Sequence, residues 1–258
     1  MLRNTFTWLL SLSTLAAPAA LALTQPEVDK IVEAIDDRQR NSGDWQSDVY
    51  IENKEKDKND VVYDAKIYRR DESDSLIILF QLPKAEAGKG YLRIDKNLWF
   101  YDPRIGKWER RTERERIGGT GSNRQDFDES RLHEEYDATF KGEEPLGKFT
   151  ANVLELKQKS GFDVAYPVIK LWVDKETNNI LKRQEFAASG KLMRTAYYPK
   201  WKKAFSASKK ADVWYPQEIR VFDEIEKGNR TVVLIKKVDF TPLEANIFTK
   251  AWLESKAR

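Results

Sequence analysis

Apolar residues follow two different periods along the chain, and the first of them is helical. Near the amino end, four apolar residues recur at the three- and four-residue spacing of one helix face: Val28, Ile31, Val32 and Ile35. The preceding Thr24-Gln25-Pro26-Glu27 has the S/T-x-x-E pattern of a capping box, in which the Glu27 carboxylate reaches back to the cap. Gly43 then marks the end of the helix. The pattern predicts that the mature protein begins with an amphipathic helix, which precedes all the strands.

From Trp45 onward the apolar residues recur with a period of two, which is typical of strands with one solvent-exposed face. Val49 and Ile51, for example, alternate with Asp48 and Glu52, and an exposed charged turn is predicted at 53–60. Strands are predicted at residues 45–51, 61–67, 76–82, 91–94, 98–101, 136–141, 152–157, 168–173, 180–186, 192–198, 215–222 and 231–238. An antiparallel meander of about a dozen strands must curl or close, because flat sheets of that width are unusual.

Three segments depart from the strand pattern. Residues 82–90 form a loop with Pro83, and residues 110–131 run from basic to acidic through a glycine-rich stretch. We predict that the second is a lid or binding loop that leads into a short helix near 128–135, since structureless stretches of this length are usually functional. Residues 247–253 fit either a final short helix or an extended segment. With no internal repeat or linker, residues 23–258 are predicted to be a single domain.

The first 22 residues have the three parts of a secretory signal peptide. Arg3 supplies the charge, an apolar run follows from Trp8 to Leu15, and Ala20-Leu21-Ala22 is an A-x-A-like cleavage site. The apolar run is shorter than the roughly 20 residues that a membrane-spanning helix needs. We therefore predict secretion through the Sec pathway to the periplasm, with cleavage after Ala22.

Composition narrows the classes of function. The chain contains no cysteine, which excludes disulfides, thiolate metal sites and the acylated cysteine of a lipoprotein, so we expect a soluble mature protein. Removal of Arg3 with the signal peptide leaves 44 basic against 42 acidic residues, a near balance that argues against nucleic acid as a partner. Aromatic residues number 30 of 258, which fits a lined cavity and an amphipathic sheet equally well.

Candidate catalytic patterns are weak. Gly118-Gly119-Thr120-Gly121-Ser122 lacks the Lys-Ser/Thr of a phosphate-binding loop and is predicted to be a hinge that tolerates positive φ. His133 is the single histidine and is predicted to be structural or exposed. Carboxylates such as Asp71-Glu72 and those at 126–129 are expected to be solvated. The basic run 110–116 alternates in charge, which fits solvation better than a partner contact. We predict no catalytic residue, metal or cofactor.

Three runs are apolar at consecutive positions and therefore have no polar, solvent-exposed face. These runs are residues 76–80, 91–92 and 98–101. Strands of this kind are covered on both faces. In a curled sheet the convex face is normally wet, so another part of the chain is expected to cover it there. The concave face is then left to core packing or to a lipid pocket, and the sequence leaves both open.

The order of several motifs resembles the outer-membrane lipoprotein-sorting protein family, the LolA-like proteins, over most of the mature chain. The residues that carry the likeness are Gly90 through Pro103, Arg110-Arg111, Gly118 through Phe127, Leu154, Leu171 through Thr177, Phe240-Thr241-Pro242 and Ile247-Phe248-Thr249. The stretch 121–127 departs from the family's Gly-Ser-Asp-Phe-like pattern by extra polar residues.

The resemblance implies an α+β, mainly β fold: a large curled antiparallel sheet that forms an incomplete β-barrel, with helices on its concave face. It further implies a periplasmic, non-enzymatic carrier or chaperone that binds acyl chains of lipids or lipoproteins and works with an inner-membrane transporter of the RND/MMPL or ABC type. The rings predicted to line the cavity are Trp45, Tyr63, Phe80, Tyr91, Trp99 and Tyr101. The alternatives are an adaptor of an envelope exporter without cargo of its own, and a hydrolase of envelope lipids or glycans.

Overall fold

The computed structural model describes residues 22–94, 97–111, 117–118 and 130–257, so residues 1–21 of the predicted signal peptide lie outside it. Three α-helices occur in the described residues: α1 (Gln25–Arg40), α2 (Leu132–Glu135) and α3 (Lys250–Lys256). The strands there are β1 (Asp44–Lys54), β2 (Val61–Arg70), β3 (Ser75–Leu82), β4 (Gly90–Ile94), β5 (Asn97–Asp102), β6 (Lys107–Arg111), β7 (Tyr136–Leu146), β8 (Phe149–Gln158), β9 (Val168–Asp174), β10 (Ile180–Phe186), β11 (Leu192–Ser206), β12 (Ala211–Asp223) and β13 (Arg230–Asp239).

All these strands belong to one antiparallel sheet whose order is β6-β5-β4-β3-β2-β1-β13-β12-β11-β10-β9-β8-β7. Each half of the sheet is a meander of consecutive strands, and the two meanders are joined where β1 pairs with β13. The sheet is not closed, because β6 and β7 are free edges among the described strands. All twelve strands predicted from the sequence are confirmed, and the mixed-charge β6 is the one that the alternation missed.

The sheet is strongly curled. Its inner face is the one that carries Val49, Ile67 and Ile78, and residues of β3 and of β10 on this face border the same hollow. In a flat sheet these two strands would lie six spacings apart, about 29 Å. The predicted incomplete barrel is therefore the observed fold.

Helix α1 covers the inner face of strands β7 to β10. Its buried residues Val28, Ile31, Val32 and Ile35 pack with Leu154, Leu171 and other apolar side chains of that half. The predicted reach-back of the capping box is confirmed, since the Glu27 carboxylate accepts hydrogen bonds from the Thr24 amide and hydroxyl, at 2.8 and 2.7 Å. The position of α1 therefore agrees with the helical cover on the concave face that the resemblance implied.

The junction between α1 and β1 is held by a buried carboxylate. Asp71 accepts hydrogen bonds from the amides of Ser42, at 2.5 Å, and Gly43, at 3.1 Å, and its carboxylate lies 2.6 Å from the Arg69 guanidinium. Burial raises the pKa of Asp71, against the lowering effect of Arg69 and of both amides. The expectation that Asp71 is solvated was wrong, because the turn after β2 folds back onto the end of the helix.

Helix α3 covers the outer face of the other half of the sheet. Leu253 is fully buried there among Ile77, Leu79 and Leu92, in a cluster that also contains Ile247 and Phe248. Close packing requires small residues beneath the helix, since a Cβ atom added at Gly90 would lie 3.0 Å from both Leu253 methyl groups. Helix α3 is thus the part of the chain that covers the outer face of the strands predicted to be apolar on both faces. Of the two possibilities left open for residues 247–253, the structure shows a helix from Lys250 onward.

Within the described ranges, no helix combines the length and the apolar character that crossing a bilayer requires.

Candidate functional site

A hollow of about 200 Å³ lies on the inner face, between the two halves of the sheet. Its wall is mostly apolar. The aromatic residues that line it are Trp45, Tyr198, Trp201, Trp214, Tyr215 and Phe240. The aliphatic residues are Val49, Ile67, Leu76, Ile219, Val221, Val233, Ile235 and Val238. Such a wall offers dispersion contacts and favours hydrocarbon over water.

Strand alternation explains the aliphatic part of this wall. On β13, Val233 and Ile235 face inward, whereas Leu234 points to the outer face. A bulge between β1 and β13 inserts Lys236, so Val238 pairs with Ser47 and again faces the hollow. The apolar wall therefore continues to the end of the strand.

The aromatic rings cluster at one end of the hollow. Phe240 lies 6.4 Å from Trp45 and 6.1 Å from Tyr215, and Tyr198 stacks on Trp201 at 6.1 Å, all between ring centroids. The Trp201 indole donates a hydrogen bond to the Ile180 carbonyl, at 2.9 Å. The rings are therefore fixed by neighbours and frame a preformed surface.

Four arginines also line the hollow, while its lining residues include no carboxylate. Arg38, on α1, donates hydrogen bonds to the carbonyls of Thr177 and Asn178 and to the Asn179 side chain, at 2.7 to 2.9 Å. Burial lowers the pKa of Arg38, with Asp37 acting in the opposite direction. This arginine fastens the end of α1 to the β9–β10 turn and brings positive charge to the wall.

Arg183 and Arg194 share one buried carboxylate. Glu185 lies 2.7 Å from the Nε atom of Arg183 and 2.8 Å from that of Arg194, and its side chain is 3% exposed. A buried acid with this exposure needs such partners, because an isolated charge is costly to desolvate. Both arginines therefore contribute to the wall of the hollow as members of one buried group of ion pairs.

A polar recess of about 380 Å³ continues from the hollow toward the opposite end of the sheet. Arg194 and Val221 line both spaces. The recess is bordered by Asn53, Asp223 and Arg230 but also by Met193 and Ile225, so its wall mixes charged, hydrogen-bonding and apolar groups. The inner face therefore offers a mostly apolar compartment with a more polar, mixed one beside it.

The described part of the predicted lid packs on the inner face. Ile117 is 3% exposed and joins the apolar cluster that contains Phe80 and Tyr91. The Gly118 amide donates a hydrogen bond to the Tyr91 hydroxyl, at 3.1 Å, and Gly118 has the positive φ predicted for this hinge. Residues 112–116 and 119–129, including the rest of the glycine-rich stretch, lie outside the described residues.

The six rings predicted from the sequence fall into two groups. Trp45 lines the hollow, and Tyr63, Phe80 and Tyr91 belong to the apolar cluster that continues from it along the inner face. Trp99 and Tyr101 lie neither in the wall of the hollow nor in this apolar cluster. Trp99 pairs with Leu92 on the outer face, where the Lys250 ammonium of α3 lies 3.7 Å from its ring centroid, and Tyr101 packs in the α3 cluster. The placement of these two rings in the cavity is corrected, because each is one residue out of phase with inward-facing Phe100.

The sequence reasoning missed most of the aromatic wall. Tyr198 ends the predicted strand 192–198, while Trp201 and Trp214 lie in the extensions of β11 and β12 beyond the predicted strands. The signal that could have found them is the pairing of Trp201 with Pro216 in one long hairpin. Lysines interrupt the apolar pattern there, so the alternation did not extend the two predicted strands into this segment.

Candidate catalytic groups do not come together around the hollow. His133 has a half-exposed side chain, and its Nε2 atom lies 3.5 Å from the Glu33 carboxylate on the surface of α1. Among the residues that the structure describes, no group of three or more His, Cys, Asp or Glu side chains is placed to hold a metal ion.

Comparisons with known proteins agree with this architecture. A protein-family model described as "uncharacterized protein" matches residues 72–255. A domain from Vibrio parahaemolyticus described as outer membrane lipoprotein-sorting is 18% identical, with a TM-score of 0.77 over 90% of this chain and all of that domain. A DUF1329 family protein from Desulfovibrio piger is also 18% identical, with a TM-score of 0.76 over 89% of this chain and 98% of that protein.

A LolA superfamily protein from Nitrosomonas europaea is 21% identical, with a TM-score of 0.70 over 87% of this chain and 98% of that protein. At these identities the likeness establishes a shared fold. Among curated proteins, none matches the chain.

Proposed function

The chain belongs to the family whose model matches residues 72–255, and it has a LolA-like fold; on this premise we propose that it is a periplasmic carrier of lipid or lipoprotein acyl chains. The proposal includes export and cleavage after Ala22, a single domain from residue 23 onward, and no enzymatic step. The Vibrio relative is described as a lipoprotein-sorting domain, which supports the choice of cargo class. An inner-membrane transporter is the proposed donor or acceptor.

The observation that carries the proposal is the apolar, ring-lined hollow inside a curled sheet. Exposing an acyl chain of about 16 carbons to water costs on the order of 10 kcal/mol, at roughly 0.8 kcal/mol per CH₂. A protein that encloses the chain removes this cost without covalent chemistry. The wall meets that need because its contacts are aromatic and aliphatic, while arginines border it where a polar headgroup requires partners.

The size of the hollow indicates how loading proceeds. Its volume of about 200 Å³ is below the roughly 300–1,000 Å³ of common ligand pockets. A long chain therefore needs more of the inner face than the hollow offers. The adjoining apolar cluster is occupied by Ile117, so we propose that cargo displaces the 117–118 segment. Ligand and lid then compete for one surface, which also provides a means of release.

The test is native mass spectrometry of the full-length gene product purified from the periplasm. We expect a polypeptide that begins at Leu23 and carries adducts of lipid mass, which solvent extraction removes and identifies. A correctly processed protein with no lipid adduct, and with no affinity for a fluorescent fatty acid after extraction, would reject the carrier function in favour of a cargo-free adaptor. Hydrolysis of added lipids or glycans by the purified protein would reject the non-enzymatic part.

A further inference from the structure

The hairpin formed by β11 and β12 has a strongly basic tip. Between Pro199 and Ala211 the chain carries five lysines and no acidic residue. These lysines are Lys200, Lys202, Lys203, Lys209 and Lys210, and all five are exposed. The first acidic residue beyond them is Asp212. Since the formal charge of the whole chain is only +3, this tip concentrates positive charge that the molecule as a whole does not have.

A large ring is exposed on the same tip. Phe205 is 63% exposed, the highest value among the large hydrophobic residues that the structure leaves accessible. It pairs in register with Asp212, two residue pairs beyond Lys203 and Trp214. Lysines around an exposed aromatic ring are the combination that binds an anionic bilayer surface, since the charges attract the headgroups and the ring enters the interface.

The hairpin tip is fixed to the body of the protein. The Ser206 hydroxyl donates a hydrogen bond to the Ser42 carbonyl, at 2.7 Å, and the Ala207 amide donates one to the Phe240 carbonyl, at 3.2 Å. A Cβ atom added at Gly43 would lie 2.7 Å from the Ser208 Cβ atom. The basic tip therefore holds a set position relative to the α1–β1 junction.

This position adjoins the aromatic end of the hollow. Trp214 lines the hollow, and the Lys203 ammonium lies 4.8 Å from its ring centroid. Ser42 and Phe240, to which the tip is hydrogen-bonded, line the hollow as well. A surface that engages the tip is thus brought next to the aromatic wall.

We propose that the β11–β12 tip docks the protein on an anionic phospholipid bilayer, with Phe205 inserted at the interface and the aromatic end of the hollow beside the membrane. The inference goes beyond the carrier function, because docking depends on the tip and needs no occupant in the hollow. Charge complementarity selects the partner: the tip has five cations, and the headgroup layer of phosphatidylglycerol supplies the anions.

The experiment is co-sedimentation of the mature protein with two kinds of vesicle, phosphatidylcholine alone and phosphatidylcholine with about one third phosphatidylglycerol. We expect binding to the anionic vesicles that weakens as salt is raised. Replacing two lysines (Lys200→Gln with Lys202→Gln) should weaken it about twenty-five-fold, since each lysine contributes about five-fold near such a surface. Phe205→Ser should weaken it roughly ten-fold through lost apolar burial.

Two matched controls separate docking from general effects. Lys107→Gln with Lys148→Gln removes the same charge from exposed sites elsewhere, and Ile105→Ser changes a residue that is 62% exposed. Both controls should bind anionic vesicles like the parent protein. Equal losses in the tip and control variants, or no preference of the parent for anionic vesicles, would overturn the proposal and leave the tip as a contact for a protein. Fatty-acid affinity should be unchanged in all four variants, so the carrier function is tested separately.

Discussion

Gly118 lies directly against the ring of Phe80, since a Cβ atom added to the glycine would be 2.6 Å from the Phe80 Cζ atom. The ring itself is 2% exposed, so it has little room to move. The contact seats the described part of the β6–β7 connection on the inner face. The two described residues of that connection, Ile117 and Gly118, therefore cover part of the inner face.

The first prediction concerns this contact. Gly118→Ala should unseat the 117–118 segment, because the added methyl meets Phe80 and the φ of +60° disfavours a side chain. If lid and cargo compete, affinity for a fluorescent fatty acid should rise several-fold. Gly106→Ala is the control, since Gly106 has a φ of +66° and nothing within 4 Å of the added atom. Equal affinities of the two variants would contradict the competition.

The second prediction tests the hollow with two neighbours on β13. Ile235→Asp places a carboxylate in the apolar wall, whereas Leu234→Asp places it on the outer face. Because desolvating a charge is costly, fatty-acid affinity should fall at least about ten-fold in the first variant and stay near the parent value in the second. Fluorescence titration measures both, and circular dichroism verifies folding. If the Ile235→Asp protein folds and binds fatty acid like the parent, the hollow is not the acyl-chain binding site.

The third prediction concerns the outer cover. Leu253→Ala should lower the free energy of unfolding by about 3 kcal/mol, as expected for a fully buried leucine that leaves a cavity. Ser255→Ala changes an exposed residue of the same helix and should have little effect. Urea denaturation compares them. A loss below about 1 kcal/mol for Leu253→Ala would show that α3 is not part of the core.

The fourth prediction is a pH dependence. Burial raises the pKa of Tyr136 to about 12 from its usual 10. Between these values the unfolded chain loses a phenolic proton that the folded chain retains, so unfolding is favoured as the pH rises. Stability present below pH 10 should therefore decline by about 2 to 3 kcal/mol toward pH 12.

Denaturant unfolding at several alkaline pH values measures this decline. Tyr136→Phe should lose a smaller amount than the parent over the same range, although it lacks the hydrogen bond to the Tyr166 carbonyl at every pH. Tyr197→Phe, on the outer face, is the control and should follow the parent. Parallel curves for all three proteins would exclude Tyr136 as the cause.

Most of the fold could be predicted from the sequence because burial on one face imposes a period of two. The alternation located β1 and β2, and the helical period located α1. β6 was missed since Trp108 stands among Lys107 and charged residues on an edge strand, where little apolar pattern is required. The extensions of β11 and β12, at residues 199–206 and 211–214, were missed for a similar reason, because lysines occupy many positions there.

The candidate site was less predictable than the fold. The run 98–101 is apolar at every position, so alternation could not tell which of Trp99 and Phe100 faces inward. Register decides it, since Phe100 pairs with Tyr91 and Trp99 pairs with Leu92. The hollow also depends on curvature, which brings β3 opposite β10, and no local pattern encodes that approach. Trp214 therefore became visible as a wall residue only in three dimensions.

The pairing of β1 with β13 has a consequence for how the molecule assembles. Each of the two meanders forms from neighbouring hairpins, whose loops are short and inexpensive in chain entropy. The seam between them joins residues such as Gln46 and Asp239, nearly the whole mature chain apart. Contacts of such separation are slow to form. We therefore expect the hollow to form late in folding, and until the seam closes the apolar inner faces of both meanders are exposed to solvent.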